Sequence, residues 1–315
     1  MLQSVDQISR TTILAAQQRL LGHVRATPLL KLSGATLGVA CAEVWLKLEH
    51  LQIGGSFKAR GMFNRMLSLP IPAAGVVIAS GGNAGIAVAC AAKALGVRCE
   101  VFLPELSSQA KRQALAALNA TVVVGGAAYN DALAACLARQ QATGALLMHA
   151  YDQTEVVVGA GTLAAEIEQV GGLPDRVLVS VGGGGLIAGV AAWFDSRCRV
   201  EALEPVGSPT LHAARAAGEP VDVAVGGLAA DALGARRVGA IAWSVSQRHV
   251  AAAHLLPEEA IAQAQRLLWT ELRLAVEPAA ALPLAALRCG AVQPAASERV
   301  ALVLCGANFD PSTLA

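Results

Sequence analysis

Lysine is scarce in this chain, five of 315 residues against nineteen arginines. One of the five, Lys58, stands in Gly54-Gly55-Ser56-Phe57-Lys58-Ala59-Arg60-Gly61, after a glycine-serine turn and at the head of a helical pattern. A lysine held there by packing loses hydration, which lowers its pKa and makes its amine a Schiff-base nucleophile. Lysines are mostly solvated, so taken alone the residue argues for a surface side chain in a first helical turn. Two other loops reverse that balance.

Gly182-Gly183-Gly184-Gly185 separates an apolar strand pattern from a helix that opens near Leu186. Glycines let backbone approach an anion, and a helix N-terminus offers free N–H groups and the positive end of its dipole. A tight turn accounts for one or two glycines but hardly for four, so the loop reads as a phosphate site. It also matches a dinucleotide fingerprint, Gly183-x-Gly185-x-x-Ala188, with Glu204 about 20 residues on where a ribose-binding carboxylate belongs. An NAD(P)-dependent oxidoreductase is therefore an alternative on this loop alone. It places the fingerprint past mid-chain and leaves Lys58 without a task.

Ser80-Gly81-Gly82-Asn83-Ala84-Gly85 is a second strand-to-helix loop. Ser80 or Asn83 can serve simply as an N-cap. The loop also gathers a hydroxyl, an amide and several backbone N–H groups, enough to hold a carboxylate and a phenolic oxygen. Cys305-Gly306-Ala307-Asn308 follows the last strand pattern. A buried cysteine is usually a small hydrophobe, but at a strand's carboxyl end it can turn its thiol to a ligand.

Positioning these loops needs alternating strands and helices, and the periodicity supplies them. Strands are expected at 44–48, 76–79, 99–103, 121–124, 145–148, 176–181, 200–203 and 300–304. Helices are expected at 6–21, 57–67, 84–95, 108–118, 127–141, 157–170, 186–194 and 258–272, with a less regular stretch up to about His254. Short strands alternating with longer helices predict parallel sheets with helices on both faces, and ligands at the carboxyl ends of the strands.

Composition narrows the partners. A net charge of +1 with 15% charged residues gives no footprint for nucleic acid. The chain is 55% hydrophobic, and the runs from Met66 to Ala92 and from Val177 to Phe194 are long enough to span a bilayer. Prolines, polar residues and the four glycines interrupt them, and sheets buried on both faces produce the same density, so no membrane span is expected. Met1-Leu2-Gln3-Ser4-Val5-Asp6 carries no secretory pattern, and seven cysteines include no C-x-x-C pair. A cytoplasmic protein is expected.

Taken in order, Thr27-Pro28-Leu29, Leu46-Lys47-Leu48-Glu49-His50-Leu51-Gln52, Gly55–Gly61, Ser80–Gly85, the four glycines, Val276-Glu277-Pro278-Ala279 and Cys305–Asn308 span nearly the whole chain. The set resembles the serine/threonine dehydratase group of fold-type II pyridoxal-phosphate enzymes. The resemblance implies a two-domain α/β architecture of the tryptophan-synthase-β type. Residues 1–60 and 152–315 would form the large cofactor-binding domain and residues 61–151 a smaller inserted one.

It also implies roles. Lys58 would hold pyridoxal 5'-phosphate and remove the α-proton, with Phe57 beside the ring. Gly182, Gly183, Gly184, Gly185 and the Leu186 N–H would take the phosphate. Asn83 would bond the ring hydroxyl, Ser80, Gly81, Gly82, Asn83 and Ala84 the substrate carboxylate, and Cys305 the pyridine nitrogen. A thiol there, unlike a carboxylate, does not force that nitrogen to be protonated, which favours loss of a β-hydroxyl over a free carbanion.

Glu204, Ser208 and Thr210 fall where the family carries a cation, and with one carboxylate among them K⁺ fits better than a divalent ion. Glu204 is equally a helix-capping carboxylate. Where racemising relatives carry a serine this chain has Gly81, which argues against racemase activity. Ile53, Ala160 and Ala280 also depart from the family pattern, and control through a C-terminal regulatory domain is not expected. The expected reaction is deamination of L-serine and L-threonine to pyruvate or 2-oxobutanoate and ammonia by a homodimer, with another β-substituted amino acid such as 3-hydroxyaspartate as the alternative substrate.

Overall fold

Strand segments such as Val76–Ala79 and Arg176–Ser180 show no polar alternation, and every residue in both is buried. Strands of this kind need cover on both faces, which helices provide. The computed structural model describes residues 7–314; Met1–Asp6, on which the expectations for the N-terminus and for the start of the first helix rest, lie outside them.

The strands are β1 (Leu29–Ser33), β2 (Glu43–Lys47), β3 (Val76–Ala79), β4 (Cys99–Leu103), β5 (Thr121–Val124), β6 (Leu146–Leu147), β7 (Arg176–Ser180), β8 (Arg199–Pro205), β9 (Val250–Leu256) and β10 (Arg299–Val303). The helices are α1 (Arg10–Arg19), α2 (Lys58–Ser68), α3 (Asn83–Leu95), α4 (Gln109–Ala117), α5 (Tyr129–Thr143) and α6 (Thr154–Gly171). They continue as α7 (Gly185–Phe194), α8 (Thr210–Ala217), α9 (Ala230–Leu233), α10 (Ala240–His249), α11 (Glu258–Leu272) and α12 (Pro278–Arg288).

Two sheets result. One runs β1-β2-β10-β7-β8-β9, parallel except for the β1–β2 pair. The other, β5-β4-β3-β6, is parallel throughout and takes every strand between residues 76 and 147. Each has its own apolar core. No helix among the described residues is long and apolar enough to cross a membrane.

Helix α2 lies between the two cores and is pinned in two ways. Gly159 of α6 faces α2 so closely that a Cβ there would lie 2.5 Å from the Arg60 carbonyl oxygen and 2.8 Å from Gly61 Cα. Arg60 itself is 1% exposed. Its guanidinium donates to Glu49 at 2.7 and 2.8 Å and to Glu166 at 2.7 and 2.8 Å, and Lys47 Nζ reaches Glu166 at 2.5 Å. Thr27 adds a hydroxyl to Glu49. These contacts fix the start of α2, and with it Lys58.

The stretch before His254, expected to be irregular, holds α8, α9, α10 and the start of β9, and α12 was not anticipated. Residues Ala279 to Leu287 of α12 are all buried. A helix covered on every side has no polar face, so it shows no 3.6-residue contrast to read. Pro283 inside it obscures the pattern further.

Candidate active site

Lys58 opens α2 directly after Phe57, and its Nζ donates to the Ala150 carbonyl oxygen at 2.6 Å. Burial pulls the amine pKa down to about 8, against the opposing pull of Cys305 and Glu277. The Phe57 ring centroid is 5.1 Å from Nζ, and the Phe57 N–H donates to the Cys305 carbonyl oxygen at 3.0 Å. Beside Lys58, the Ser56 hydroxyl is fully buried with no hydrogen-bond partner among the described residues.

The four glycines leave the end of β7 and enter α7 with Gly184 at φ +87°, a conformation that glycine adopts without cost. Side chains on this loop would collide with their surroundings. A Cβ on Gly183 would lie 2.3 Å from the Tyr151 ring, one on Gly184 2.4 Å from Ala242 Cβ, and one on Gly185 2.7 Å from the Tyr151 carbonyl oxygen. Phe57, Lys58, Ala150, Tyr151, Gly185 and Leu186 line one shared space. The structure thus brings the lysine and the glycine loop together.

A cleft of about 360 Å³ opens between the two sheets' loops. Gly82 and Asn83 line it from α3's N-terminus, and Leu228, Asp231, Gln265, Glu277, Asn308 and Phe309 line it from the opposite side. Of the remaining loop residues, Ala84 packs its methyl into the core around β3, and Gly81 sits where a Cβ would press on Leu103 Cδ2 at 2.9 Å.

Asn83 is the hub. Its Nδ2 donates to both Glu277 oxygens at 2.9 and 3.0 Å, and its Oδ1 accepts from Asn308 Nδ2 at 2.6 Å.

Glu277 had no role assigned from the sequence. It occupies the N-cap of α12 but makes no side-chain cap bond; it turns instead to Asn83. It is 3% exposed, and Cys305 Sγ lies 4.0 Å from its Oε1. Burial drives its pKa up to about 7, although Asn83, the Asn308 backbone and Lys58 pull the other way. Cys305 is buried, and burial with Glu277 beside it pushes the thiol well above its usual range, so it stays protonated. The available sequence signal was a single carboxylate amid the apolar run Leu274-Ala275-Val276-Glu277-Pro278-Ala279-Ala280-Ala281-Leu282.

Glu204 is fully buried and caps α8, accepting from Leu211 N and His212 N at 2.7 Å each and from Thr210 Oγ1 at 2.9 Å. Thr210 Oγ1 also reaches the Gly182 carbonyl oxygen at 2.5 Å, tying this cap to the glycine loop. Ser208 Oγ donates to the Gly226 carbonyl oxygen at 3.2 Å. These bonds make Glu204 the cap of α8, so its place about 20 residues after the glycine loop has a structural explanation that needs no ribose. The described residues contain no group of three or more His, Cys, Asp or Glu placed to hold a metal ion.

Residues 20–306 match the family described as pyridoxal-phosphate dependent enzyme. The chain is 36% identical over 314 residues to L-threonine ammonia-lyase of Geobacter sulfurreducens, covering 97% of this chain and 77% of that one. It is 34% identical to phenylserine dehydratase of Ralstonia pickettii, covering 97% and 94%. Among solved structures, the threonine deaminase of T.th. superposes with a TM-score of 0.88 at 34% identity, covering 96% and 99% of the two chains. Maize serine racemase superposes with a TM-score of 0.90 at 29% identity, covering 97% and 95%.

Proposed function

Given that the chain belongs to the pyridoxal-phosphate-dependent enzymes, we propose that it is an ammonia-lyase that removes water from small β-hydroxy amino acids, L-threonine and L-serine first. The observation that carries this is Lys58, whose amine, pulled down to about 8 by burial, lines one space with Tyr151 and with Gly185 and Leu186 at the end of the glycine loop.

The residues fit the cofactor. Gly182, Gly183, Gly184 and Gly185 form a cradle that a Cβ would fill, at the N-terminus of α7 where an anion is favoured. The orphaned Ser56 hydroxyl and the Lys58 amine lie where polar partners are needed. Lys58 and Phe57 would hold the ring end, the glycines with the Leu186 N–H the phosphate, Asn83 the ring hydroxyl and Cys305 the ring nitrogen. When bound, the cofactor supplies a sink for the electron pair released at the substrate α-carbon.

The protein's own groups do the rest. Lys58, its pKa lowered toward neutrality, gives up its own proton readily enough to accept the α-proton as a free amine. Asn83, clamped by Glu277 and Asn308, is held in one orientation. The N–H groups of the Ser80–Ala84 loop, at the positive end of α3, receive the substrate carboxylate. Cys305 stays a neutral thiol and so places no negative charge at the ring nitrogen. The four-carbon or three-carbon product hydrolyses to 2-oxobutanoate or pyruvate and ammonia.

A second substrate reading rests on the cleft wall. Leu228, Ala262 and Phe309 offer apolar contact to a larger β-substituent than a methyl group, and one relative is a phenylserine dehydratase.

The reading extends to organisation. Residues 1–60 with 152–315 form a large domain and 61–151 a small one, supported by the confinement of one sheet to strands between 76 and 147. A cytoplasmic homodimer accords with cysteines that are all free and with exposed Leu14, Leu21 and Val170 near the α1–α6 face. Glu204, Ser208 and Thr210 would take K⁺ rather than a divalent ion, and a K⁺-dependent rise in melting temperature tests this.

The deciding experiment is an absorption spectrum of the purified protein before and after borohydride, followed by oxo-acid assay with each amino acid. A reducible yellow chromophore with label on Lys58 and oxo acid produced is expected. A protein that stays colourless with added pyridoxal phosphate would sink the reading.

A further inference from the structure

A side-chain amide donates at one end and accepts at the other. The end it turns to a ligand decides what that ligand must offer in return. At Asn83 the choice is made by two residues with no place in the phosphate cradle. The Gly54 carbonyl can only accept, so the Asn308 atom that meets it at 2.7 Å is Nδ2. The same Nδ2 lies 2.6 Å from Asn83, whose facing atom is therefore its oxygen. From the other side, Glu277 presents its two carboxyl oxygens to Asn83 Nδ2 at 2.9 and 3.0 Å. Both ends of the row demand the same orientation.

The fold keeps room for this row. A Cβ on Gly306 would press on Glu277 Oε1, and one on Gly55 would lie 2.6 Å from Asn308 Oδ1. The Glu277 N–H is tied to the Gly306 carbonyl oxygen at 3.0 Å. A glutamate serving only as the N-cap of α12 would bond the helix's free N–H groups, and Glu277 makes no such bond. Burial opposes its ionisation, Asn83, the Asn308 backbone and Lys58 favour it, and Asp231 opposes it. Cys305, 4.0 Å from Oε1, stays protonated and adds no charge. On the alkaline side of neutrality, then, Glu277 has only acceptors to offer.

Seen from one nitrogen, the two oxygens of a carboxyl group subtend a far narrower angle than the two N–H bonds of an amide. One hydrogen of Asn83 therefore serves both oxygens, and the second is free. We propose that Glu277 and Asn308 are positioning residues that set the polarity of Asn83, so that it offers the cofactor's ring oxygen an N–H donor. A donor there favours the ionised oxygen, which accepts the stronger, charge-assisted bond. An amide turned the other way would offer its carbonyl, which calls for a protonated hydroxyl. Neither Glu277 nor Asn308 touches the ring in this role; both act through Asn83.

This inference rests on the assignment of Asn83 to the ring hydroxyl, and the test separates the two. The probe is pyridoxal phosphate itself, read by absorbance and by its dissociation constant in mildly alkaline buffer. In the unmodified protein the bound cofactor should absorb chiefly in the longer-wavelength band of the form with an ionised ring oxygen. In Glu277→Leu, close in size but without an acceptor, the shorter-wavelength band should grow. The dissociation constant should rise about tenfold, the worth of one buried hydrogen bond. Glu277→Gln, which can turn its amide oxygen to Asn83, should keep the long band. Asn83→Ala should lose as much affinity as Glu277→Leu, and the double variant no more than either, since both act through one bond.

A predominant shorter-wavelength band in the unmodified protein would mean that Asn83 presents its carbonyl. That result overturns the proposal even if no variant folds. So would a Glu277→Leu protein with band and affinity unchanged, or additive losses in the double variant, which would have Glu277 reach the cofactor by another route. An Asn83→Ala protein that matches the parent in both readouts would take Asn83 off the ring hydroxyl and remove this inference with that assignment. Failure to form oxo acid from serine or threonine would sink the dehydratase reading alone, and the same spectra would still decide this one.

Discussion

Helix α2 carries two basic residues two positions apart, Arg60 buried and Lys58 half-buried, and their surroundings differ in kind. Arg60 meets Glu49 and Glu166 within 2.8 Å, with Lys47 completing the cluster. Burial alone would raise Glu49, but Arg60 outweighs it and holds the carboxyl below its ordinary value. Lys58 donates only to a backbone carbonyl, and the carboxylate whose field it feels, Glu277, is itself pushed up to about 7. Where opposite charges are saturated, the fold is fixed. Where they are left apart, protons can move at neutral pH.

The comparison is broken most sharply at its two cations. Lys58→Ala should reduce oxo-acid formation by about 10³-fold or more, the loss of a base and nucleophile together, while the urea midpoint holds or rises. Arg60→Leu should do the reverse first, costing about 3–5 kcal/mol of stability because two buried carboxylates lose their partner. Urea titration of both variants measures this. A stable Arg60→Leu protein would show that the cluster is not what fixes α2.

The carboxylates sharpen it through pH. Glu277 has a folded pKa of about 7 against an ordinary 4.5, so the stability it contributes is fully present below pH 4.5 and is lost as pH rises to 7. The swing is about 3 kcal/mol, at about 1.4 kcal/mol per pH unit. Glu49 is depressed, so its contribution is present above the ordinary value and lost as pH falls. Glu277→Gln should therefore flatten the stability loss between pH 4.5 and 7 and leave the acid limb in place. Identical pH curves for variant and parent would contradict the assignment.

The smallest effect belongs to Lys111 and Asp231, which meet at 3.0 Å across the cleft mouth with side chains 39% and 85% exposed. Such a pair contributes roughly 0–1 kcal/mol, so Lys111→Ala should leave the urea midpoint nearly unchanged.

Much of this was legible in the residues. The sequence-based boundaries of β3, β4, β5 and α11 coincide with those observed, because short β-branched runs and amphipathic helices carry their own period. The Ser80–Gly85 loop and the glycine loop both fall at strand ends, and Lys58 opens a helix as its turn suggested. Glu277 was quoted within a motif yet given no task, since a glutamate before a proline reads as an ordinary helix start. Tyr151 and Asp231 lay in stretches with no pattern to single them out.

What the sequence by itself determined, then, is the local grammar: which segments are strands or helices, and which loops have the glycines and polar groups to hold a ligand. These follow from short-range periodicity and backbone sterics, which act within a few residues. The tertiary structure decided which charges are paired. Glu277 is 194 residues from Asn83 along the chain, and Arg60 is 106 from Glu166. Whether a carboxylate is held ionised by a guanidinium or raised toward neutrality in an apolar pocket depends on those long-range approaches. A sequence read in windows cannot contain them.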